Sequence, residues 1–403
     1  MSEWLPEQLQ ERVLGWLRAW DAAAVLAASG GTRVLALRAA AKLVREARER
    51  PLPPLAQDPG PNWLRALGEL HAPARLVAVG GYNSEWNRHE EVKQEGDGNG
   101  CERSVEVVCA LRGPAVSAEW RRELPPMRCR RADVAVAHGE ERCTLYAVGG
   151  RHGEVRHASV ERLDLLRWRL GGEGWSACPS MREGRSGLSV GILDSHLLAA
   201  GGRGVSNAVL RSVEALDLSR DDAEWRPLQD TQFAHEYAAS AVLHGEFWMM
   251  GGGGGRTKSV EVLDGVGGAW REGPEMGMAR YGASAAAHEG RLFVVGGSNH
   301  FARKRLTSLE WLDPREGVWH SHTFPCPSGP GYCASLWGSG VALHGDSLLL
   351  CGGAFRESQE SQTSIYRIDL RTMELEALDQ ASDEAARCGV LRVPRWCGGA
   401  CMM

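Results

Sequence analysis

Two short stretches carry residue types that could do chemistry. His320 and His322 flank Ser321, and Cys326 follows four residues later. On a strand, alternate side chains share a face, so two imidazoles at this spacing could converge on a metal ion. The five glycines 251–255 are followed by Arg256, Thr257 and Lys258, a mixture of backbone amides and cations of the kind that cradles a phosphate. Neither constellation is complete. The 13 histidines and 11 cysteines include no HExxH, no CxxC and no cluster at zinc spacing. No helical pattern follows Lys258 to offer its N-terminus to an anion. No nucleophile elbow, Walker A loop or dinucleotide fingerprint stands in its proper context. The histidine pair therefore reads as solvated loop residues and the glycine run as a turn. The expectation is a chain without catalytic residues, metal or cofactor.

Composition narrows the class further. The net charge is -5, the pI about 6.3, hydrophobic residues make up 43% and charged residues 24%. This balance points away from a nucleic-acid binder and from a membrane-surface protein. No uninterrupted apolar run approaches the length of a membrane span. The odd cysteine count, and a start (MSEWLPEQLQ) without basic and apolar leader regions, suggest free thiols in a reducing, cytoplasmic or nuclear, setting. In the terminal CGGACMM, Cys401 stands one position too late for prenylation.

The elements that would position any site come from a repeat. A short apolar run ending in Gly-Gly recurs as LVAVGG, LYAVGG, LLAAGG, FWMMGG, LFVVGG and LLLCGG. Its first glycines are 80, 149, 201, 251, 296 and 352, so successive spacings are 69, 52, 50, 45 and 56. After each comes an alternating strand: SVEVV, SVERLD, SVEALD, SVEVLD, SLEWLD and SIYRID. A tryptophan follows in five repeats (Trp120, Trp175, Trp225, Trp270 and Trp319), whereas the sixth has only Leu375 or Leu378 nearby. A single four-stranded unit of this kind cannot bury both faces, so the units must stack on one another.

The double glycine, the aliphatic-acidic strand and the tryptophan about 20 residues later resemble the kelch repeat, over residues 76 to about 393. The resemblance implies an all-β fold: a six-bladed propeller over 76–393, closed by a C-terminal strand. The first repeat lacks an initial strand, and RCGVLRV (387–393) has the look of the missing one, with 394–403 left as a tail. The Tyr, Cys and His constellation of galactose-oxidase-like enzymes, which share this repeat, has no recognisable equivalent among the six tyrosines.

Residues 1–50 fall outside the repeat and read as helices, with 51–75 as a proline-rich linker. LPEQLQERVLGWLRAWDAAAVLAAS resembles the opening of an F-box, carried by Leu5, Pro6, Leu9, Val13, Leu14, Leu17 and Asp21. SGGTRVLAL departs from the usual continuation, so a plain helical appendage is the other reading. The F-box resemblance implies a Skp-family adaptor and a cullin as partners, with the propeller presenting a target for ubiquitin transfer. The alternatives are a kelch scaffold without a ligase connection and, further off, a propeller enzyme.

In a propeller, the loops after the glycine strands and the loops between blades gather on one face. Those loops hold Arg151, Arg203, Arg256, Arg303, Arg305 and Arg356, and between blades Arg185, Arg280 and Arg387. The forked donors of arginine suit carboxylate or phosphate. This rim could therefore capture an acidic or phosphorylated segment of a partner protein; alternatively, the inter-blade arginines are part of the repeat itself. The first loop, 82–104, is long and acidic and reads either as a flap across the rim or as a solvated insertion.

Overall fold

Repeats two to six each fold into an antiparallel sheet of four strands in chain order. The sheets are named blades 2 to 6 after their repeats. Blade 2 comprises Ala135–Gly139, Thr144–Val148, Val160–Asp164 and Ser176–Cys178. Blade 3 comprises Ser189–Leu193, His196–Ala200, Val213–Asp217 and Arg226–Pro227. Blade 4 comprises Ala239–Leu243, Glu246–Met250, Val260–Asp264 and Trp270–Glu272. Blade 5 comprises Ser284–His288, Arg291–Val295, Ser308–Asp313 and Val318–Thr323. Blade 6 comprises Gly340–His344, Ser347–Cys351, Ile365–Asp369 and Glu374–Ala377. The structure, a computed structural model, describes residues 75–79, 105–112, 115–116, 124–139, 144–165, 173–253, 258–299, 304–325, 338–353, 365–377 and 399–402. The helices expected within 1–50, the linker up to residue 74 and the acidic loop 82–104 lie outside the described residues.

The core lies between blades. Side chains alternate across a strand, so the second strand of each blade feeds two neighbours. Leu197 and Ala199 of blade 3 pack with Tyr146 and Val148 of blade 2. Leu198 and Ala200 pack the other way, against Phe247, Met249 and Leu263 of blade 4. The same handover joins blade 4 to blade 5 through Trp248, Leu292 and Val294, and blade 5 to blade 6 through Phe293, Leu348 and Leu350. The tryptophans fasten these seams. The indole N–H of Trp175, Trp225, Trp270 and Trp319 donates to the carbonyl oxygen of Pro125, Pro179, Gln229 and Pro274 respectively, at 2.8–2.9 Å. Each acceptor lies on the segment leading into that tryptophan's own blade. A buried indole thus loses no hydrogen bond while contributing its large apolar area.

The blade count departs from the expected six. Five blades are each built from one stretch of chain; the sheet at the first repeat is a composite. Its order is Ala115–Val116, Val105–Arg112, Arg75–Val79 and then Gly399–Met402, from the other end of the chain. The last strand pairs Val77 with Cys401 and Val79 with Gly399. That is the register in which Ala135 meets Val148 in blade 2. Gly399–Met402 also lies against the first strands of blades 2 and 6, so it closes the hub.

A closing strand was the right expectation, but its place was not 387–393. The hub selects small side chains. Its other strands read AVAHG, SVGIL, ASAVL, SAAAH and GVALH, and a Cβ on Gly191 would sit 2.8 Å from Phe247 Cε2. RCGVLRV (387–393), the segment expected to close the ring, lies outside the described residues. Deleting residues 399–403 should bare the ladder edge of Arg75–Val79 and lower the melting temperature by on the order of 10 °C. An unchanged transition would return the closing role to an earlier segment.

Candidate functional site

The geometry of the loop face is set from below, by a carboxylate in the third strand of blades 2 to 5. In blade 2, Glu161 is buried and accepts hydrogen bonds from the backbone amides of Arg128 and Cys129. It also pairs with the guanidinium of Arg131 at 2.8 Å. Arg131 in turn donates to Gly149 O, Ser159 O and Ser159 Oγ. Blade 3 repeats the arrangement with Glu214 and Arg185, at 2.6 Å, and blade 5 with Glu310 and Arg280, at 2.9 Å. Blade 4 places His235 opposite Glu261. Each pair fixes the inter-blade loop to the end of the glycine strand and to the start of the third strand. Burial holds the Arg280 guanidinium below its usual range, opposed by Glu310.

This overturns part of the sequence-based site. Arg185 and Arg280, expected on the partner-binding rim, are 0% exposed, as is Arg131. They are internal braces because a carboxylate in the third strand of the same blade compensates their charge. The signal was available: Arg131, Arg185 and Arg280 all stand four residues before an inner strand, and Glu161, Glu214 and Glu310 all follow Ser-Val or Ser-Leu. A cation and an anion recurring in step are more readily explained by each other than by a ligand.

Above the braces, the loops entering blades 2 to 6 are joined in a run of backbone hydrogen bonds that borders a mouth. Gly187 N–H donates to Asp133 O, Tyr237 N–H to Gly187 O, Gly282 N–H to Tyr237 O and Gly338 N–H to Gly282 O, at 2.7–3.0 Å. All five residues have positive φ, between 51° and 67°. That backbone is natural for glycine and strained at Tyr237. The mouth holds a cavity of about 110 Å3 between Asp133, Gly187, Tyr237, Gly282 and Ser339. A Cβ on Gly187 would touch the Tyr237 ring at 3.0 Å, so glycine there leaves room for the tyrosine.

The accessible arginines sit outside this run. Arg151 donates from Nε to Asp133 Oδ2 at 2.5 Å. Arg203 grips Glu236 with two bonds of 2.6 and 2.7 Å, and that hydrogen bonding raises its pKa. Arg156 reaches across from blade 2 to Asn207 Oδ1 of blade 3 at 2.7 Å. The half-buried Tyr237 and Tyr281 lie 5.1 Å apart, ring to ring. Val155 and Val205, each 64% exposed, cap the hairpin loops of blades 2 and 3. Sequence reasoning found the arginines but missed the tyrosines, Asp133 and Glu236, which no motif marks. Lys304–Arg305 forms a two-residue strand paired with Ser298–Asn299. Arg256, Arg303, Arg356 and Arg387 lie outside the described residues, as do Leu5, Pro6, Leu9, Val13, Leu14 and Leu17 of the expected adaptor contact.

Of the two stretches with chemical potential, His320, His322, Gly251 and Gly252 are among the described residues. His320 stacks on Trp311 at 5.3 Å, and His322 packs edge-on to Phe324 at 5.0 Å. Gly251 and Gly252 form the turn after a blade strand, their amides donating to Ser259 O and Arg280 O. On the opposite face His288, Glu289 and Asp346 come together, with His288 Nε2 2.9 Å from Asp346 Oδ1. The second oxygen of Asp346 is already held by Arg371.

With this geometry in view, comparison with known proteins identifies the repeat. Residues 279–321 match the Kelch motif family model. The fifth repeat thus carries a Kelch motif. Kelch-like protein 34 of Homo sapiens is 29% identical over 231 residues, 54% of this chain and 34% of that protein. Kelch-like protein 25 of Xenopus tropicalis is 27% identical over 256 residues, 60% of this chain and 40% of that protein. An F-box/kelch-repeat protein of Arabidopsis thaliana is 28% identical over 156 residues, 37% of this chain and 41% of that protein. The chain thus spans about a third to two fifths of the length of these relatives.

The two classes of arginine should separate by mutation. Arg185→Ala strands the buried Glu214 and should cost about 3–5 kcal/mol. Arg203→Ala removes a partly exposed contact and should cost about 1 kcal/mol or less. Chemical denaturation of the purified chain measures both.

Proposed function

We propose that this chain is a non-catalytic substrate-recruiting subunit of a cullin-RING ubiquitin ligase, acting in the cytoplasm or nucleus. In this reading the N-terminal segment docks a Skp-family adaptor through Leu5, Pro6, Leu9, Val13, Leu14 and Leu17. The kelch propeller holds the target on its loop face. One observation carries the binding half: arginine, tyrosine and an open mouth converge on one face, with Arg203, Tyr237 and Tyr281 side by side. Tyrosine and arginine are the residues that most often dominate protein interfaces.

The proposed ligand is an acidic or phosphorylated segment. It would compete with Asp133 for Arg151 and with Glu236 for Arg203, and it would meet Arg256, Arg303, Arg305 and Arg356 along the same rim. Kelch assembly without a ligase connection is the second reading; it shares the propeller's role and drops the adaptor.

Affinity purification from cells separates the two. Recovery of a Skp-family protein and a cullin, lost on the double change Leu9→Asp and Leu14→Asp, supports the ligase reading. Their absence from the wild-type eluate, with propeller partners still present, would leave the scaffold. Arg151→Glu with Arg203→Glu should weaken capture of propeller partners at least about tenfold, the size of one lost charged contact.

A further inference from the structure

The hairpins that rise from blades 2 and 3 adjoin across Gly184. A Cβ there would lie 2.4 Å from Arg156 O and 3.3 Å from Val205 Cγ1, so glycine lets the two loops close on each other. Asn207 ties the seam through two of its oxygens. Its Oδ1 accepts from Arg156 Nη2 at 2.7 Å, and its backbone oxygen accepts from Arg203 Nη1 at 2.8 Å. Its φ is 64°, a left-handed backbone that asparagine adopts more readily than most residues. The arginines along this seam differ in what neutralises them. Arg151 is paired with Asp133 and Arg203 with Glu236, and the side chains of those acids are 1% and 7% exposed. A ligand carboxylate that displaced either one would leave a buried anion unpaired. Among the described residues, Arg156 pairs with no carboxylate. Its guanidinium bonds Asn207 Oδ1, and its Nε–H is buried without an acceptor.

A second observation falls on the same seam. The large apolar side chains exposed among the described residues are Val155, Val205 and Val318. Two of these three belong to the paired hairpins: Val155 precedes Arg156, and Val205 faces Gly184. We infer that this seam anchors an extended partner segment in which a carboxylate side chain stands beside an aliphatic one, the carboxylate on Arg156 and the aliphatic side chain on Val205. The inference rests on the reading that the loop face binds a protein partner, and it narrows that reading to one place and one chemistry. Arg156 suits the role because its charge is uncompensated and Asn207 already orders its guanidinium, so little side-chain entropy is lost on binding. A carboxylate matches that single charge. A phosphate group brings nearly twice as much, and the rest would fall on Arg151 and Arg203, which already hold anions of their own.

Selection of a phage-displayed library of random peptides on the full chain tests this. The enriched peptides should share Asp or Glu beside Leu, Ile or Val. Synthetic copies, titrated by fluorescence polarisation, should bind about tenfold more weakly to Arg156→Ala and to Val205→Ser, with the melting temperature of the chain unchanged. Arg156→Glu should reject the acidic peptide and accept a copy with Lys in place of the acid, a rescue that a misfolded variant cannot give. Peptides that bind Arg156→Ala as tightly as the wild type, yet are lost on Arg151→Glu with Arg203→Glu, would overturn the anchor and leave the loop-face reading standing. Peptides indifferent to all of these changes, or no enrichment at all, would count against both. Tighter binding of a phosphoserine copy than of the acidic peptide would overturn the carboxylate assignment.

Discussion

The propeller depends on a buried carboxylate that gathers the ends of three segments. Glu161, Glu214, Glu261 and Glu310 each sit near the start of the third strand and accept backbone amides from the loop that enters their own blade. Burying an anion is costly unless a cation and several donors meet it. That requirement dictates the rest. The cation must arrive from the inter-blade loop, at a fixed distance from the inner strand. Its remaining donors must then reach the carbonyl after the glycine strand, as Arg131 does at Gly149 and Arg280 does at Gly296. The loops of the candidate binding face are therefore anchored from within, and their upper residues are free to vary.

This explains which parts could be read from the sequence. The strands, the double-glycine turns and the tryptophan seams recur at every repeat, and recurrence makes a weak local signal legible. The braces recur too, but they involve residue types that usually mark a surface. An arginine in a loop invites a solvent-exposed reading, and only its pairing with the Ser-Val-Glu strand reveals the burial of Arg185 and Arg280. The residues of the candidate face were legible in outline only. Asp133 and Tyr237 stand at one position of the repeat and Glu236 and Tyr281 at another, with different residue types at each, so no repeat points to them.

The closing strand shows a different limit. Strand propensity favours branched and aromatic residues, which suit a half-buried pleated surface. The hub of a propeller is not such a surface: its strands lie side by side around a narrow axis, and Ala, Ser and Gly prevail in AVAHG, ASAVL and SAAAH. A segment as unpromising as GACM can close the ring because four backbone registrations and small side chains are what the place requires.

Blade 6 tests the carboxylate argument by exception. Its residue in register with Glu161, Glu214, Glu261 and Glu310 is Tyr366, which faces Leu350 as Glu161 faces Ala147. Tyr366 is 7% exposed, so the site is still inside the protein. In the sequence, the position four residues before the inner strand Gly340–His344, occupied by arginine or histidine in blades 2 to 5, is Leu336. Anion and cation are thus replaced in the same blade. Had only one changed, the other would have been a lone charge in a low-dielectric interior, at a cost of several kcal/mol. The joint replacement is what desolvation demands of a true pair. It also accounts for the sixth repeat being the least regular: blade 6 lacks both the brace and the tryptophan, and leans on Leu348, Leu350 and Ile368 packed against blade 5.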